Sequence, residues 1–175
     1  LLTMSEVYRL WAIEGDEHVK NKLPFAKTDS GVVIEPDIQV YRELKLRLLN
    51  GTHTLSCGLA FLAGCATVKQ AMDDGLVSSF ISRLMLKEIA PAIPYEIDEA
   101  RIKKFAHDVL DRFNNPHIKH QWINITMQYS SKVKMRCVPV LRRYYELNVE
   151  PPSLFSLGFA AYLYFMKATQ ESEGR

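Results

Sequence analysis

The sequence predicts a mainly α protein, a multi-helix bundle with a small β appendage near its N-terminus. Three observations carry that prediction. From Pro36 onward, apolar residues recur at helical three-and-four spacing, in segments divided by short Pro, Gly and Asn breaks. Before Pro36 stand two short runs rich in β-branched and aromatic residues, Leu10 to Ile13 and Val32 to Ile34. The length of 175 residues fits one domain. A domain of this size buries roughly 70% of its unfolded surface and needs no metal or disulfide staple.

The elements follow in order. The two β-rich runs read as strands, and Asp16 to Ser30 between them, polar and charged, reads as a surface loop. Asp37 is a candidate N-cap for a helix from Ile38 to Leu49, which Asn50-Gly51 should end. A nearly all-apolar helix from Thr52 to Cys65 should be buried on most sides. Thr67 should cap a short helix over Val68 to Asp73. Gly75 to Ile89 is amphipathic and is stopped by Pro91 and Pro94. In Asp98 to Phe113 the apolar stripe is Ile102, Phe105, Ala106, Val109, Leu110 and Phe113. Asn115-Pro116 breaks it, and helices near Gln121 to Ser130 and Pro139 to Leu147 come next. Pro151-Pro152 opens the last helix, Ser153 to Thr169.

Composition narrows the function classes. The chain is 47% hydrophobic and 24% charged, so it is neither disordered nor a disulfide scaffold. A net charge of +2 implies no polyanion, so no nucleic-acid partner is expected. The apolar run Leu154 to Met166 is too short to span a membrane, which takes about 20 residues, so no membrane partner is expected. Cys57, Cys65 and Cys137 are odd in number and read as buried, reduced thiols, in keeping with a cytoplasmic protein. No Cys or His cluster has metal-ligand spacing, so no metal is expected.

The helix predicted over Ile38 to Leu49 contains a conspicuous lysine. With Ile38 at 0° and roughly 100° per residue, Tyr41 falls near 300°, Leu44 near 240°, Leu48 near 280° and Leu49 near 20°. Lys45 falls near 340°, within that apolar face, on the same reckoning of about 100° per residue. Burial there would favour the neutral amine and suit a general base, although a lysine at a helix edge also snorkels. Asn50 and His53 follow at a helix junction, where an amide and an imidazole could hold one oxygen while Lys45 moves its proton. The blander alternative is a turn at Asn50-Gly51 and a cap at His53.

The run Lys45-Leu46-Arg47-Leu48-Leu49-Asn50-Gly51-Thr52-His53 resembles the catalytic motif of the polyol-specific long-chain dehydrogenases, the mannitol dehydrogenase family. The closer resemblance is to its uronate branch, the tagaturonate reductases or altronate oxidoreductases. Trp11-Ala12-Ile13-Glu14-Gly15, Ala71-Met72, Arg112-Phe113-Asn114-Asn115-Pro116 and Ser130-Ser131-Lys132 resemble that branch as well. The resemblance implies that residues 1–175 are the C-terminal helical substrate domain of a larger dehydrogenase, with an N-terminal Rossmann domain outside this chain. It implies metal-independent hydride transfer between NAD and a small sugar-acid substrate, with Lys45 as acid/base and Asn50 and His53 holding the reacting oxygen. No Gly-x-Gly-x-x-Gly follows a strand here, so the cofactor would be bound mainly by the other domain.

Three further residues are candidates for substrate binding. Arg112 could grip the uronate carboxylate, or simply complement the C-terminal dipole of its helix. His120 could face the substrate, whereas His117 and His120 have no third metal ligand near them. Lys132 opens a basic run with Lys134, Arg136, Arg142 and Arg143 that otherwise reads as a solvated face. Tyr162, Tyr164, Phe165 and Met166 read as core or domain-interface packing. The alternative substrates are those of mannitol- or fructuronate-type dehydrogenases. The alternative of another class is a non-catalytic helical interaction module, which has no need of a lysine on a core-facing stripe.

Overall fold

The computed structural model describes residues 8–167. Residues 1–42 form one compact unit and residues 43–175 a second.

In the first unit, β1 (Trp11–Glu14) and β2 (Val32–Glu35) pair in parallel, with Trp11 opposite Val32 and Glu14 opposite Glu35. Parallel neighbours need a crossover, and here it is helical. The stretch read as a loop holds α1 (Glu17–Lys22) and a 3₁₀ turn, Pro24–Lys27. Its signals were local: Asp16 accepts a hydrogen bond from the Val19 N–H at 3.1 Å, Glu17 sits in the first turn, and Lys20 and Lys22 in the last.

Residues 39–62 are helical throughout, and this corrects the expected break at Asn50-Gly51. α2 (Gln39–Leu44) is followed by a π-helical segment, Lys45–Gly51, and then by α3 (Thr52–Leu62). Gly51 has ordinary right-handed helical angles, φ −65° and ψ −48°. A wider turn closed by i→i+5 bonds advances each residue by less than the roughly 100° of an α-helix. On the same wheel of about 100° per residue the buried residues Glu43, Leu44, Arg47 and Leu48 fall between roughly 140° and 280°, so the buried face is not the purely apolar one and excludes Lys45, near 340°. Lys45 is exposed, and Glu43 and Arg47 are buried instead.

The remaining helices of the second unit are α4 (Val68–Asp73), α5 (Gly75–Arg83), α6 (Glu99–Phe113), α7 (Trp122–Ile125), α8 (Tyr129–Lys132), α9 (Val138–Leu147) and α10 (Ser153–Phe165). Two more π segments, Leu84–Ile89 and Val133–Cys137, extend α5 and lead into α9. Thr67 and Gln70 form the reciprocal cap that opens α4, and Asp98 caps α6. The single helix expected over Gln121 to Ser130 is two, separated at Gln128, whose φ of 52° is left-handed. The last two positions expected in α10, Lys167 aside, lie outside the described residues. The three cysteines are buried and free.

α3 is the buried axis of this unit. Every residue from Thr52 to Gly58 is buried. Two glycines let other groups close on it: a Cβ on Gly158 would stand 2.7 Å from the Leu55 carbonyl oxygen, and one on Gly58 would stand 2.9 Å from the Tyr129 hydroxyl. That hydroxyl accepts the Gly58 N–H at 3.0 Å. At the other end of α10, the buried Glu88 carboxylate accepts from the N–H groups of Leu154 (2.9 Å) and Phe155 (2.6 Å).

A buried ion pair ties the first and third π segments together. Arg47 Nε donates to Glu43 at 2.8 Å, and Arg47 Nη1 donates to the carbonyls of Met135 (2.7 Å) and Arg136 (3.1 Å). A helical Pro139 has no N–H to give the Met135 carbonyl four residues back, and the guanidinium supplies the missing donor. Removing one member of such a pair leaves a buried charge alone, which costs about 3–5 kcal/mol. Arg47→Met is therefore expected to lower the unfolding free energy of the chain in urea by about 3 kcal/mol or more. The double variant Glu43→Gln, Arg47→Met should lose clearly less than the sum of the two single changes.

Candidate functional site

The site is built on the first turns of α3. His53 is 7% exposed, and its ring stacks on Phe113 with centroids 4.2 Å apart and planes 7° from parallel. His120 stands edge-on to it at 5.1 Å and Trp122 at 5.8 Å. The segment carrying these two is fixed to the start of α4. The Val68 N–H donates to the His120 carbonyl at 2.9 Å, and the Trp122 N–H donates to the Ala66 carbonyl at 3.0 Å.

The imidazole is held neutral. Burial pushes its pKa well below 6.5, and the positive potentials of His120, Arg136 and Arg112 push it the same way. Burial also lowers the Lys132 pKa, helped by the nearby Arg136. Lys132 Nζ donates to the Ile125 carbonyl at 2.9 Å, and Arg136 Nη1 donates to Thr54 Oγ1 at 3.2 Å. Below the cations, burial raises the Cys57 thiol to about 11 and the Cys137 thiol to about 12, so neither is a thiolate at neutral pH.

Five buried polar atoms have no hydrogen-bond partner among the described residues: Thr52 Oγ1, His53 Nε2, Ser56 Oγ, Trp122 Nε1 and Arg136 Nε. Three of them belong to one helical stretch, Thr52 to Ser56, and Trp122 and Arg136 interact with His53 within it. Such atoms occur in most folded chains, but here they gather around one residue, His53, and that clustering makes this the candidate place for a polar ligand.

The sequence-predicted residues separate as follows. His53, His120, Arg112 and Lys132 share one neighbourhood, linked through His53 and Arg136. Asn50 is half-buried on the π segment, and its carbonyl accepts the Thr54 hydroxyl at 2.8 Å. Lys45 does not have the partial burial expected of it: it lies in solvent, with no ion pair among the described residues. Any desolvation of its amine must come from whatever covers this face. His53 lies in a continuous helix and makes no side-chain cap.

Sequence reasoning missed three participants. Arg136 is half-buried rather than part of a solvated basic face, unlike Lys134, Arg142 and Arg143, which are exposed. Phe113 and Trp122 pass in sequence for ordinary core residues. At the last helix, Tyr162 and Phe165 pack against Tyr129 of α8, while Tyr164 and Met166 are 62% and 47% exposed. Cavities of about 680 and 520 Å³ lie elsewhere, lined by none of the candidate residues. Among the described residues no group of three or more His, Cys, Asp or Glu is placed to hold a metal ion, and no helix is long and apolar enough to cross a membrane.

Residues 37–174 match the family model described as the mannitol dehydrogenase C-terminal domain. The altronate oxidoreductase of Pectobacterium carotovorum subsp. carotovorum is 36% identical over 170 residues, 97% of this chain and 34% of that protein. The altronate oxidoreductase of Bacillus subtilis is 38% identical over 165 residues, 94% of this chain and 34% of that protein. The chain thus spans about a third of the length of these relatives. Among solved structures, the Pseudomonas fluorescens mannitol 2-dehydrogenase in ternary complex with NAD and D-mannitol aligns with a TM-score of 0.69 at 26% identity, covering 81% of this chain and 28% of that one. A substrate-free D-sorbitol dehydrogenase aligns with a TM-score of 0.70 at 24% identity, covering 79% and 28%, and shares the fold.

The depressed His53 pKa makes stability depend on pH with a definite sign. In the unfolded chain the ring takes a proton near pH 6.5, and in the folded chain it does not. The unfolded state therefore binds more protons below that pH, and His53 contributes stability that is present above it and lost as pH falls. The slope for one such group approaches about 1.4 kcal/mol per pH unit. Urea unfolding from about pH 7 to about pH 5 should accordingly show a steeper loss in the native chain than in His53→Gln.

Proposed function

The chain belongs to the mannitol dehydrogenase C-terminal domain family, and on that premise we propose that it is the substrate-binding part of an NAD-dependent sugar-acid oxidoreductase. The reaction is the interconversion of a keto-uronate, tagaturonate, and the aldonate altronate. The name of the relatives, altronate oxidoreductase, supports altronate as one member of the pair. The observation that carries the reading is the neutral His53, its Nε2 unsatisfied, among Arg112, Arg136 and His120. A polyhydroxylated anion with a carbonyl or hydroxyl group to be held is the ligand these groups suit.

The cofactor does not fit the one strand–helix–strand unit this chain offers. α1 has only six residues, and the Asp16 carboxylate already occupies its N-terminus. A pyrophosphate would meet a negative charge where the dinucleotide fold presents bare N–H groups. NAD is therefore assigned to an N-terminal Rossmann domain outside this chain, which is this domain's partner. When bound there, the nicotinamide supplies or takes the hydride.

The residues of this chain handle the oxygen and its proton. In the reductive direction, negative charge grows on the carbonyl oxygen. The Asn50 amide and the Nε2–H tautomer of His53 hold that oxygen, and the Lys45 ammonium gives it a proton. A neutral, cation-flanked imidazole is a poor acid–base partner but a good fixed donor. The proton transfer therefore falls to Lys45, whose solvent-facing amine is not committed to an ion pair among the described residues. Lys45 and Asn50 lie five residues apart in the π segment, the separation that its hydrogen bonds bring into register.

In the complete enzyme, Lys45→Met is expected to keep the fold and to lower kcat/KM by at least about 100-fold. Lys87→Met, on the exposed side of another segment, should change little. An equal effect of the two substitutions would remove Lys45 from the mechanism. Titration calorimetry of NADH into this chain alone should show no micromolar binding, and a micromolar isotherm would overturn the assignment of the cofactor to the other domain.

A further inference from the structure

We propose that Arg136 receives the carboxylate of the substrate and thereby sets the preference for a sugar acid over a neutral sugar. This rests on the dehydrogenase reading above. It departs from the sequence expectation, which gave the carboxylate to Arg112 and placed Arg136 on a solvated face.

The backbone of Arg136 is fixed from within. Its carbonyl accepts Arg47 Nη1 at 3.1 Å, and Arg47 is itself locked to the buried Glu43. Its side chain is fixed at one corner, where Nη1 donates to Thr54 Oγ1 at 3.2 Å. The guanidinium so held is close enough to His53, the residue proposed to hold the reacting oxygen, to act on its charge, and both keep an unpartnered buried nitrogen. Arg136 Nε is buried and has no partner, and among the described residues Nη2 has none either. One corner of the fork is spent on positioning, and the Nε–Nη2 edge is left. That edge matches the two oxygens of a carboxylate.

The alternatives are less suited. Lys132 already spends a donor on the Ile125 carbonyl, and an ammonium cannot bind a carboxylate in the forked manner. Arg112 sits in the last turn of α6, where the helix C-terminus attracts its charge. Arg136 is a half-buried cation with a single neutral partner, and no acidic side chain pairs with it among the described residues. Leaving a cation so poorly compensated is unfavourable unless an anion completes the arrangement.

The test measures kcat/KM of the complete enzyme for tagaturonate and for fructose, a neutral ketose. In Arg136→Met, the ratio of the two is expected to fall by at least about 30-fold, carried mainly by KM for tagaturonate. Arg136→Lys keeps the charge and loses the fork, and should fall between the native enzyme and Arg136→Met. If Arg136→Met does not fold, Arg136→Lys and Arg136→Gln are expected to lower the ratio in that order of severity. An unchanged ratio in the folded variants, or a loss shared equally by both substrates, overturns the proposal while the dehydrogenase reading stands. A native enzyme without preference for tagaturonate overturns both.

Discussion

The second unit depends on one buried guanidinium. Arg47 neutralises Glu43 within its own helix and then reaches across to the carbonyls of Met135 and Arg136. The Met135 carbonyl needs it because Pro139, four residues on, has no N–H to give. The first and third π segments are thus each other's solution. One brings the cation inward, and the other presents acceptors that ordinary helix would have used. Gly51 belongs to the same junction: its carbonyl faces the Cys137 thiol at 3.9 Å, and the Arg136 carbonyl lies 3.7 Å from where a Cβ on it would stand. An α-helical path through either segment would turn these groups away from one another.

The candidate site inherits its geometry from that junction. His53 follows the first π segment by two residues, and Arg136 lies inside the third. Holding the segments together therefore sets the relation of imidazole to guanidinium, and Thr54 Oγ1 completes it by accepting from Arg136 and donating to the Asn50 carbonyl. Deeper along α3 the polar groups are satisfied, with Gly58 N–H bonded to Tyr129 and the Cys57 thiol donating to the Thr54 carbonyl. The unsatisfied atoms gather where the helix meets Trp122 and Arg136. The packing that satisfies one end of the helix while leaving the other open is what distinguishes a site from a flaw in the core.

Much of this was legible in the sequence, and what was not has physical causes. Caps are local chemistry, so Thr67 and the boundaries of α4 could be read directly, while Asp98, counted into its helix, is in fact the cap of α6. The two short strands were foreseen but not their parallel pairing, and the crossover helix reads as a loop because six residues with Val19 as the one apolar side chain leave no stripe to see. The π segments could not be read, since the periodicity argument assumes a constant turn. Lys45 was placed inside for another reason: the face was drawn through apolar residues alone, whereas the buried face also takes Glu43 and Arg47, four apart and opposite in charge. Arg136 was hidden for a related reason: among neighbouring cations in the chain, only its anchor on Thr54, 82 residues away, sets it apart. His53 was found because its motif is contiguous, whereas Phe113 and Trp122 reach it only through the fold.

The charge arrangement explains why an uncharged imidazole and several cations occupy one neighbourhood. Protonating His53 would add a positive charge beside Arg112, Arg136 and His120 in a place water does not reach, and both burial and repulsion oppose it. In the proposed reaction, the same potential that disfavours a proton on His53 would attract an anionic substrate and stabilise an oxyanion as it forms. Donor and field therefore act together, and they need not exchange protons with solvent to do so. The group that must exchange protons is best kept outside that field, where its amine can be recharged from water. Lys45, the acid/base of the proposed reaction, is exposed on the same helical stretch and would meet that requirement.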